Sequence, residues 1–208
     1  MENKFIIKNF NDFTNSFFNY KKKNEIDIYN EFSFQHELGI FIKNNFPEYK
    51  VEFERNVSFF EITEDTIKKE IDISVFSPDK KEKYAIELKF PRNGQVPEQM
   101  YSFVKDIRFM EELKHFGFTN TYTIVLVDNP QFYSGKSSGI YKIFRDTHQI
   151  DGKILKPTAN YSKSEFIELQ NSYTFNWNKL DDNQSYLIVS NLVRNFIPEK
   201  RQKSIMLR

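Results

Sequence analysis

Two short runs hold the residues best suited to chemistry: Glu70-Ile71-Asp72-Ile73-Ser74-Val75-Phe76 and Tyr84-Ala85-Ile86-Glu87-Leu88-Lys89-Phe90. Both alternate and both are rich in β-branched and aromatic residues, the pattern of strands. The link Ser77-Pro78-Asp79-Lys80-Lys81-Glu82-Lys83 carries the Pro, Asp and Ser of a turn, so the two runs predict a β-hairpin. Carboxylates inside such strands are costly to bury unless they are paired or bind a metal. Residues two apart share a sheet face, which groups Glu70 with Asp72 and Glu87 with Lys89. With the turn centred between Asp79 and Lys80, Asp72 faces Glu87 and Glu70 faces Lys89. Directly opposed Cβ atoms stand roughly 4.5–5.5 Å apart, where like charges repel unless something neutralises them. Two carboxylates so placed can seat a hard divalent cation, which takes oxygen ligands, with Lys89 beside it. Glu70 then serves as a second acidic group or as a restraint on Lys89.

The flanking pattern supplies elements to position that hairpin. Residues 30–46 predict an amphipathic helix with Phe34, Leu38, Phe41 and Ile42 on its apolar face, ended by Pro47; Glu37 lies next to that face. Residues 49–60 alternate as a strand, interrupted near Glu54-Arg55-Asn56. After the hairpin, Phe90-Pro91-Arg92-Asn93-Gly94-Gln95-Val96 reads as a loop. Pro97 and Glu98 open a helix of about 20 residues with Gly117 at its C-terminal cap, its apolar positions recurring at the helical period. Gln99, Phe103 and Asp106 share one face of it, and Asp106 reads as a surface residue. Thr121 to Val127 is largely apolar, as in a buried central strand. Residues 1–29 predict a helical extension. Beyond 129 the pattern weakens: Gly139 to Phe144 continues the core, 164–170 reads as a short helix, and Ser185 to Val193 as strand or helix. The tail from Arg194 to Arg208 is basic.

Asp72, a spacer of fourteen residues and then Glu87-Leu88-Lys89 on the next strand resembles the active-site signature of the PD-(D/E)xK nuclease superfamily. The resemblance covers about residues 30 to 128, and the element order agrees with that group's αβββαβ core. Glu112-Leu113-Lys114 and Glu2-Asn3-Lys4 repeat the tripeptide pattern without an acidic strand before them, so context carries the resemblance. Ile71 stands where the name-giving proline would. The resemblance implies an α/β (α+β) fold of restriction endonuclease type, a mixed central sheet flanked by helices, in one domain of 208 residues with a C-terminal elaboration. It implies a Mg²⁺- or Mn²⁺-dependent endonuclease cutting DNA rather than RNA, of the kind used in phage defence, restriction or mobile elements. Asp72 and Glu87, with the Leu88 carbonyl and Glu37, would hold the metal; Lys89 would orient water or stabilise charge on the phosphate, and Gln99 would touch the site. The alternatives are a catalytically silent module that binds nucleic acid or protein, and a subunit active only with a partner; a homodimer is a further possibility.

Composition narrows the chemistry. The chain has no cysteine, which removes disulfides, thiolate zinc sites and cysteine nucleophiles. A net charge of +1 gives no global sign of nucleic-acid binding, so any phosphate contacts must be local, with Arg92 and Lys136 the candidates. No apolar run is long enough for a membrane span and Met1-Glu2-Asn3-Lys4 opens no secretory h-region, so a cytoplasmic protein is the expectation. His36-Glu37 is not a zincin motif, because Ile40 stands where its second histidine would be. Tyr133-Ser134-Gly135-Lys136-Ser137 is not a P-loop, because Pro130 occupies the position of its first glycine. Tyr173, Phe175 and Trp177 are candidates for stacking on a base or, more commonly, for burial.

Overall fold

The structure is a computed structural model that describes residues 10–158, 165–181 and 183–190; residues 1–9 and the basic tail lie outside the described residues. It is a mixed α+β fold. Helices α1 (Phe10–Lys23) and α2 (Glu31–Asn45) precede strand β1 (Lys50–Asn56), and a 3-10 turn (Val57–Phe60) leads to the hairpin of β2 (Glu70–Phe76) and β3 (Lys83–Lys89). Helix α3 (Val96–His115) crosses to β4 (Asn120–Val127). Later come β5 (Gln149–Leu155), β6 (Phe166–Thr174), β7 (Asn178–Lys179) and β8 (Ser185–Ser190). Six strands form one sheet in the order β1-β2-β3-β4-β8-β7, in which only β3 and β4 pair in parallel; β5 and β6 make a separate hairpin. The parallel pair is the one joined by a helical crossover, as its geometry requires. Among the described residues no helix is long and apolar enough to cross a membrane.

Side-chain alternation assigns the two faces of the sheet. Tyr84, Ile86 and Leu88 of β3, with Tyr122, Ile124 and Leu126 of β4, turn toward α1 and α2, where Phe17, Phe18, Phe34, Leu38 and Ile42 complete one core. Ala85 of β3 and Ile71 and Phe76 of β2 meet Phe109, Met110 and Leu113 of α3 on the other face. A third cluster joins Met100, Phe103, Val104 and Ile107 of α3 to Val125, Val127, Leu187 and the β5–β6 hairpin. Burying such large side chains contributes roughly 1.5–3 kcal/mol apiece before chain entropy opposes it, so these layers hold the hairpin between them.

The helix ends explain the precision of the frame. Asn30 caps α2 in a reciprocal box: its Oδ1 accepts from the Ser33 N–H at 2.7 Å, and Ser33 Oγ accepts from the Asn30 N–H at 3.1 Å. At the other end of the crossover, Gly117 adopts φ +83°, and the Phe118 N–H closes onto the Leu113 carbonyl at 3.1 Å. That left-handed turn suits glycine and aims the chain directly into β4.

One expectation for the C-terminal part is corrected and one is narrowed to a strand. The short helix expected over 164–170 is not found among the described residues: Phe166 to Gln170 belong to β6. Ile167 and Leu169 point inward while Glu168 and Gln170 point out, a period of two rather than 3.6. The segment beginning at Ser185 is strand β8, which pairs along the outer side of β4, so the C-terminal region contributes to the central sheet. Trp177 donates Nε1–H to the Phe144 carbonyl at 2.8 Å and packs on Tyr133, while Phe175 and Tyr173 are buried; these three serve the core.

Glu111 of α3 latches the β5–β6 hairpin. It is buried, pairs with Arg108 at 3.2 Å, and accepts from the N–H groups of Gln170 and Asn171, from Asn171 Nδ2 and from the Tyr173 hydroxyl. Removing the carboxylate takes away the acceptor these donors share and the partner of Arg108. Glu111→Ala is therefore expected to lose about 3–5 kcal/mol of stability in urea unfolding; a loss below about 1 kcal/mol would show that the latch is dispensable.

Candidate functional site

The site forms where two paired strands part. The ladder between β2 and β3 runs from Phe76 opposite Lys83 to Ile73 opposite Ile86, the register the turn position predicts. Beyond it, carboxylates replace the carbonyl partners. The Asp72 N–H donates to Glu87 Oε1 at 3.1 Å, and the Leu88 N–H donates to Asp72 Oδ2 at 2.7 Å. On the other side of β2, pairing with β1 skips the position between Phe53–Ile73 and Arg55–Ile71, where Glu54 takes a left-handed φ of +48°. Such a backbone is strained for a residue with a Cβ. Gln35 of α2 braces the spot, its Nε2 donating to Glu54 Oε1 at 2.5 Å and to the Asp72 carbonyl at 2.7 Å.

Glu87 is fully buried, with 0% exposure, on the α3 face of the sheet. Asp106, at 2% exposure, projects from α3 toward the same space. The ammonium of Lys68, from the segment before β2, pairs with Glu87, lies 3.0 Å from Asp106 Oδ1 and approaches Asp72 Oδ1 to 4.0 Å. Lys89 Nζ donates to the Leu88 carbonyl at 3.0 Å, pairs with Glu31 at 3.2 Å and stands 3.4 Å from Asp106 Oδ2. Glu31 also accepts from the Phe90 N–H at 3.1 Å, which fixes the end of β3 to the first turn of α2. A cleft of about 270 Å³ opens on the α2 side of Asp72, lined by Glu31, Phe32, Gln35, Glu54, Asp72 and Leu88.

Three carboxylates thus face two ammonium groups, with Glu31 a further carboxylate beside Lys89. Burial raises Asp72 to about 6 against the opposing pull of Lys68 and Lys89. Burial also pushes Glu87 well above the usual carboxylate range, reinforced by Asp72 and Asp106 and opposed by Lys68. Burial acts to lower both lysines, yet the surrounding carboxylates outweigh it and hold Lys68 and Lys89 above the ordinary lysine value. Three buried side-chain oxygens among the described residues have no hydrogen-bond partner: the Tyr101 hydroxyl, and, at the cluster, Asp106 Oδ2 and the hydroxyl of Thr123, which is paired with Glu87 in the parallel register.

The sequence-predicted residues divide accordingly. Asp72, Glu87, Leu88 and Lys89 come together. Glu37 does not join them: it lies two positions past Gln35, about 200° around the helix, and its carboxylate sits 3.4 Å from His36 Nδ1. Glu31 and Gln35, four residues apart on one helical face, occupy the place expected for it. Gln99 shares a face with Asp106 but lies about 10 Å along the axis, where its Nε2 donates to the Asn93 carbonyl at 3.0 Å and closes the loop before α3. Asp106, read as a surface residue, is the helix's contribution to the site. Glu70 is exposed and aligned with Asn56 of β1, so it does not restrain Lys89. Arg92 is exposed and ion-paired with Asp128, over the ring of Phe90. Lys136 is exposed on the loop after Pro130–Phe132 and makes no described contact with the cluster.

Sequence reasoning missed Glu31, Gln35, Glu54 and Lys68. Glu31 looks like an ordinary acidic residue favoured in a helix's first turn, and Lys68 has no local pattern that separates it from a solvated lysine. Asp106 left a trace, since it interrupts the buried stripe of Phe103, Ile107 and Met110.

Comparison with protein-family models, with curated proteins and with solved structures finds no match for this chain.

A hard divalent cation fits this donor set in chemistry. The groups are oxygen donors in excess of negative charge, and one buried carboxylate oxygen lacks a hydrogen-bond donor. Among the described residues no three His, Cys, Asp or Glu side chains stand ready-made for coordination; the Lys68 ammonium lies among the carboxylates.

The raised acidity constant of Asp72 has a consequence for folding. Between its ordinary value of 3.8 and about 6 the folded chain holds a proton that the unfolded chain has released. Stability contributed by this group is therefore present at low pH and is lost as pH rises through that window, by on the order of 3 kcal/mol. In metal-free buffer, Asp72→Asn is expected to flatten the wild-type decline between pH 4 and about 6, measured by denaturant unfolding across that range. An unchanged slope in the variant would remove Asp72 as its source.

Proposed function

We propose that this chain is a metal-dependent nuclease of the PD-(D/E)xK type, hydrolysing phosphodiester bonds of DNA. The observation that carries this reading is the junction of Asp72 and Glu87. Each carboxylate accepts from the other strand's backbone at the point where the ladder opens, with Lys89 Nζ at the carbonyl between Glu87 and itself. A structural ion-pair cluster has no need for strands that separate at its centre. The succession α2-β1-β2-β3-α3-β4 supports a restriction endonuclease-like core, in which β2 and β3 carry the acidic pair.

Asp72 and Glu87, with the Leu88 carbonyl, would hold Mg²⁺ or Mn²⁺, which when bound polarises a phosphate oxygen and acidifies a coordinated water. Lys89, kept charged by its carboxylate neighbours, places a cation where negative charge grows on the phosphate oxygens. Glu31 sets the height of that ammonium by gripping both Nζ and the next backbone N–H. Gln35 fixes the Asp72 carbonyl and keeps the strand from closing back into a regular ladder. The cleft admits a phosphate from the α2 side, and Phe32 on its rim, 71% exposed, offers a face for a base. Arg92 is the candidate for a neighbouring phosphate, in exchange for Asp128.

A second reading is a binding module or a subunit that works only with a partner. One observation favours it: the Lys68 ammonium already neutralises part of the acidic cluster.

The test is incubation of the purified chain with plasmid, single- and double-stranded DNA, and RNA, in Mg²⁺, Mn²⁺ or chelator. Metal-dependent cleavage is expected, abolished in Asp72→Asn and Glu87→Gln and reduced about 10²–10³-fold in Lys89→Ala. A wild-type chain that binds the ion and the nucleic acid yet cuts none of these substrates is a binding module or a subunit awaiting its partner.

A further inference from the structure

Lys68 sits outside the two strands that carry the acidic pair, yet its side chain ends among their carboxylates. The backbone around it is held. Thr66 Oγ1 donates to the Lys68 carbonyl at 2.5 Å, the Ile67 N–H donates to Glu112 Oε2 at 2.8 Å, and the Val57 N–H donates to the Lys69 carbonyl at 2.9 Å. Only the side chain, 21% exposed, has freedom to leave. Glu87 has both oxygens engaged: Oε1 by the Asp72 N–H and Oε2 by Lys68. A cation entering between Asp72 and Glu87 by way of Glu87 Oε2 meets that ammonium first.

Resting on the metal-dependent reading above, we propose that Lys68 is a tethered competitor for the cation position, its ammonium holding Glu87 Oε2 until a divalent ion displaces it. Three features support this. The ammonium pairs with Glu87 and Asp106 and approaches Asp72, so it compensates the same charges an ion would compensate. Among the described residues no other cation contacts the buried Glu87, because Lys89 pairs with Glu31 and Asp106 instead. Lastly, a four-carbon stem on a pinned backbone lets the charge swing out without moving a strand, so the acidic pair keeps its frame in both states. Lys68 is thus a positioning residue for the empty site and lowers the affinity of the filled one. If its ammonium is withdrawn in about one molecule in ten, apparent ion affinity falls about tenfold.

The test titrates Mn²⁺ into the full chain by calorimetry, at fixed pH and salt, for wild type, Lys68→Met, Lys68→Gln and Asp72→Asn. The two neutral Lys68 variants are expected to bind the ion at least about tenfold more tightly than wild type, and Asp72→Asn to lose binding. In thermal unfolding without metal, the neutral variants should melt below wild type, and Mn²⁺ should raise their melting temperature by more than it raises that of wild type. Neutral variants that bind Mn²⁺ no tighter than a wild type that does bind would overturn the competition and leave the nuclease reading standing. A neutral variant that stays unfolded at saturating Mn²⁺ also counts against it, because the ion should replace the missing charge. Uptake of Mn²⁺ by none of the four chains would remove the metal reading and this inference together.

Discussion

The arrangement depends on one local substitution of bonding partners: past Ile73 and Ile86, carboxylates take over the hydrogen bonds that strand carbonyls would make. An open pair of central strands would otherwise leave N–H groups without acceptors in a dry interior, at a cost of roughly 1–3 kcal/mol each. Asp72 and Glu87 supply those acceptors and are held rigid in doing so. The same bonds that mend the backbone therefore fix two acidic groups side by side. What remains unsatisfied is their charge, and Lys68, Lys89 and Asp106 are arranged around that residue of imbalance.

The helices have complementary parts in this. Helix α3 covers one face and brings Asp106 to the cluster, while a turn and a half further along it Glu111 grips the β5–β6 hairpin. Helix α2 covers the other face, and its N-terminal Glu31 and Gln35 reach around the open end of β2 and β3. Buried ion pairs are weak evidence of stabilisation in themselves, since desolvation offsets most of the attraction. Their concentration where β2 and β3 part, next to a cleft, is what makes the cluster a candidate functional site.

Much of the frame was legible in the sequence, and for local reasons. The hairpin could be read because period-two alternation and a Pro-Asp turn coincide, and the register followed from the turn's centre. Helices α2 and α3 announced themselves by apolar spacing and by Pro47, Pro97 and Gly117. The stretch beginning at Phe166 was misread because a few alternating residues fit both periods. In the site, Asp72, Glu87 and Lys89 could be found because they sit on sequence-adjacent strands. Glu31, Gln35, Lys68 and Asp106 come from separate elements, and only packing brings them within reach. The resemblance points to an acidic residue on α2 and Glu37 lies next to its apolar face, whereas the helix presents its first turns, with Glu31 and Gln35, to the opening.

Glu31 joins the amide of Phe90 and the ammonium of Lys89 to a helix whose same face is locked into the core further along by Phe34, Leu38 and Ile42. The placement of the Lys89 ammonium is thereby delegated to a rigid cylinder seated on core side chains. Substitution of Phe34, Leu38 or Ile42 would then shift the Lys89 ammonium as well as weaken the core, so the interior packing and the geometry of the charged cluster vary together.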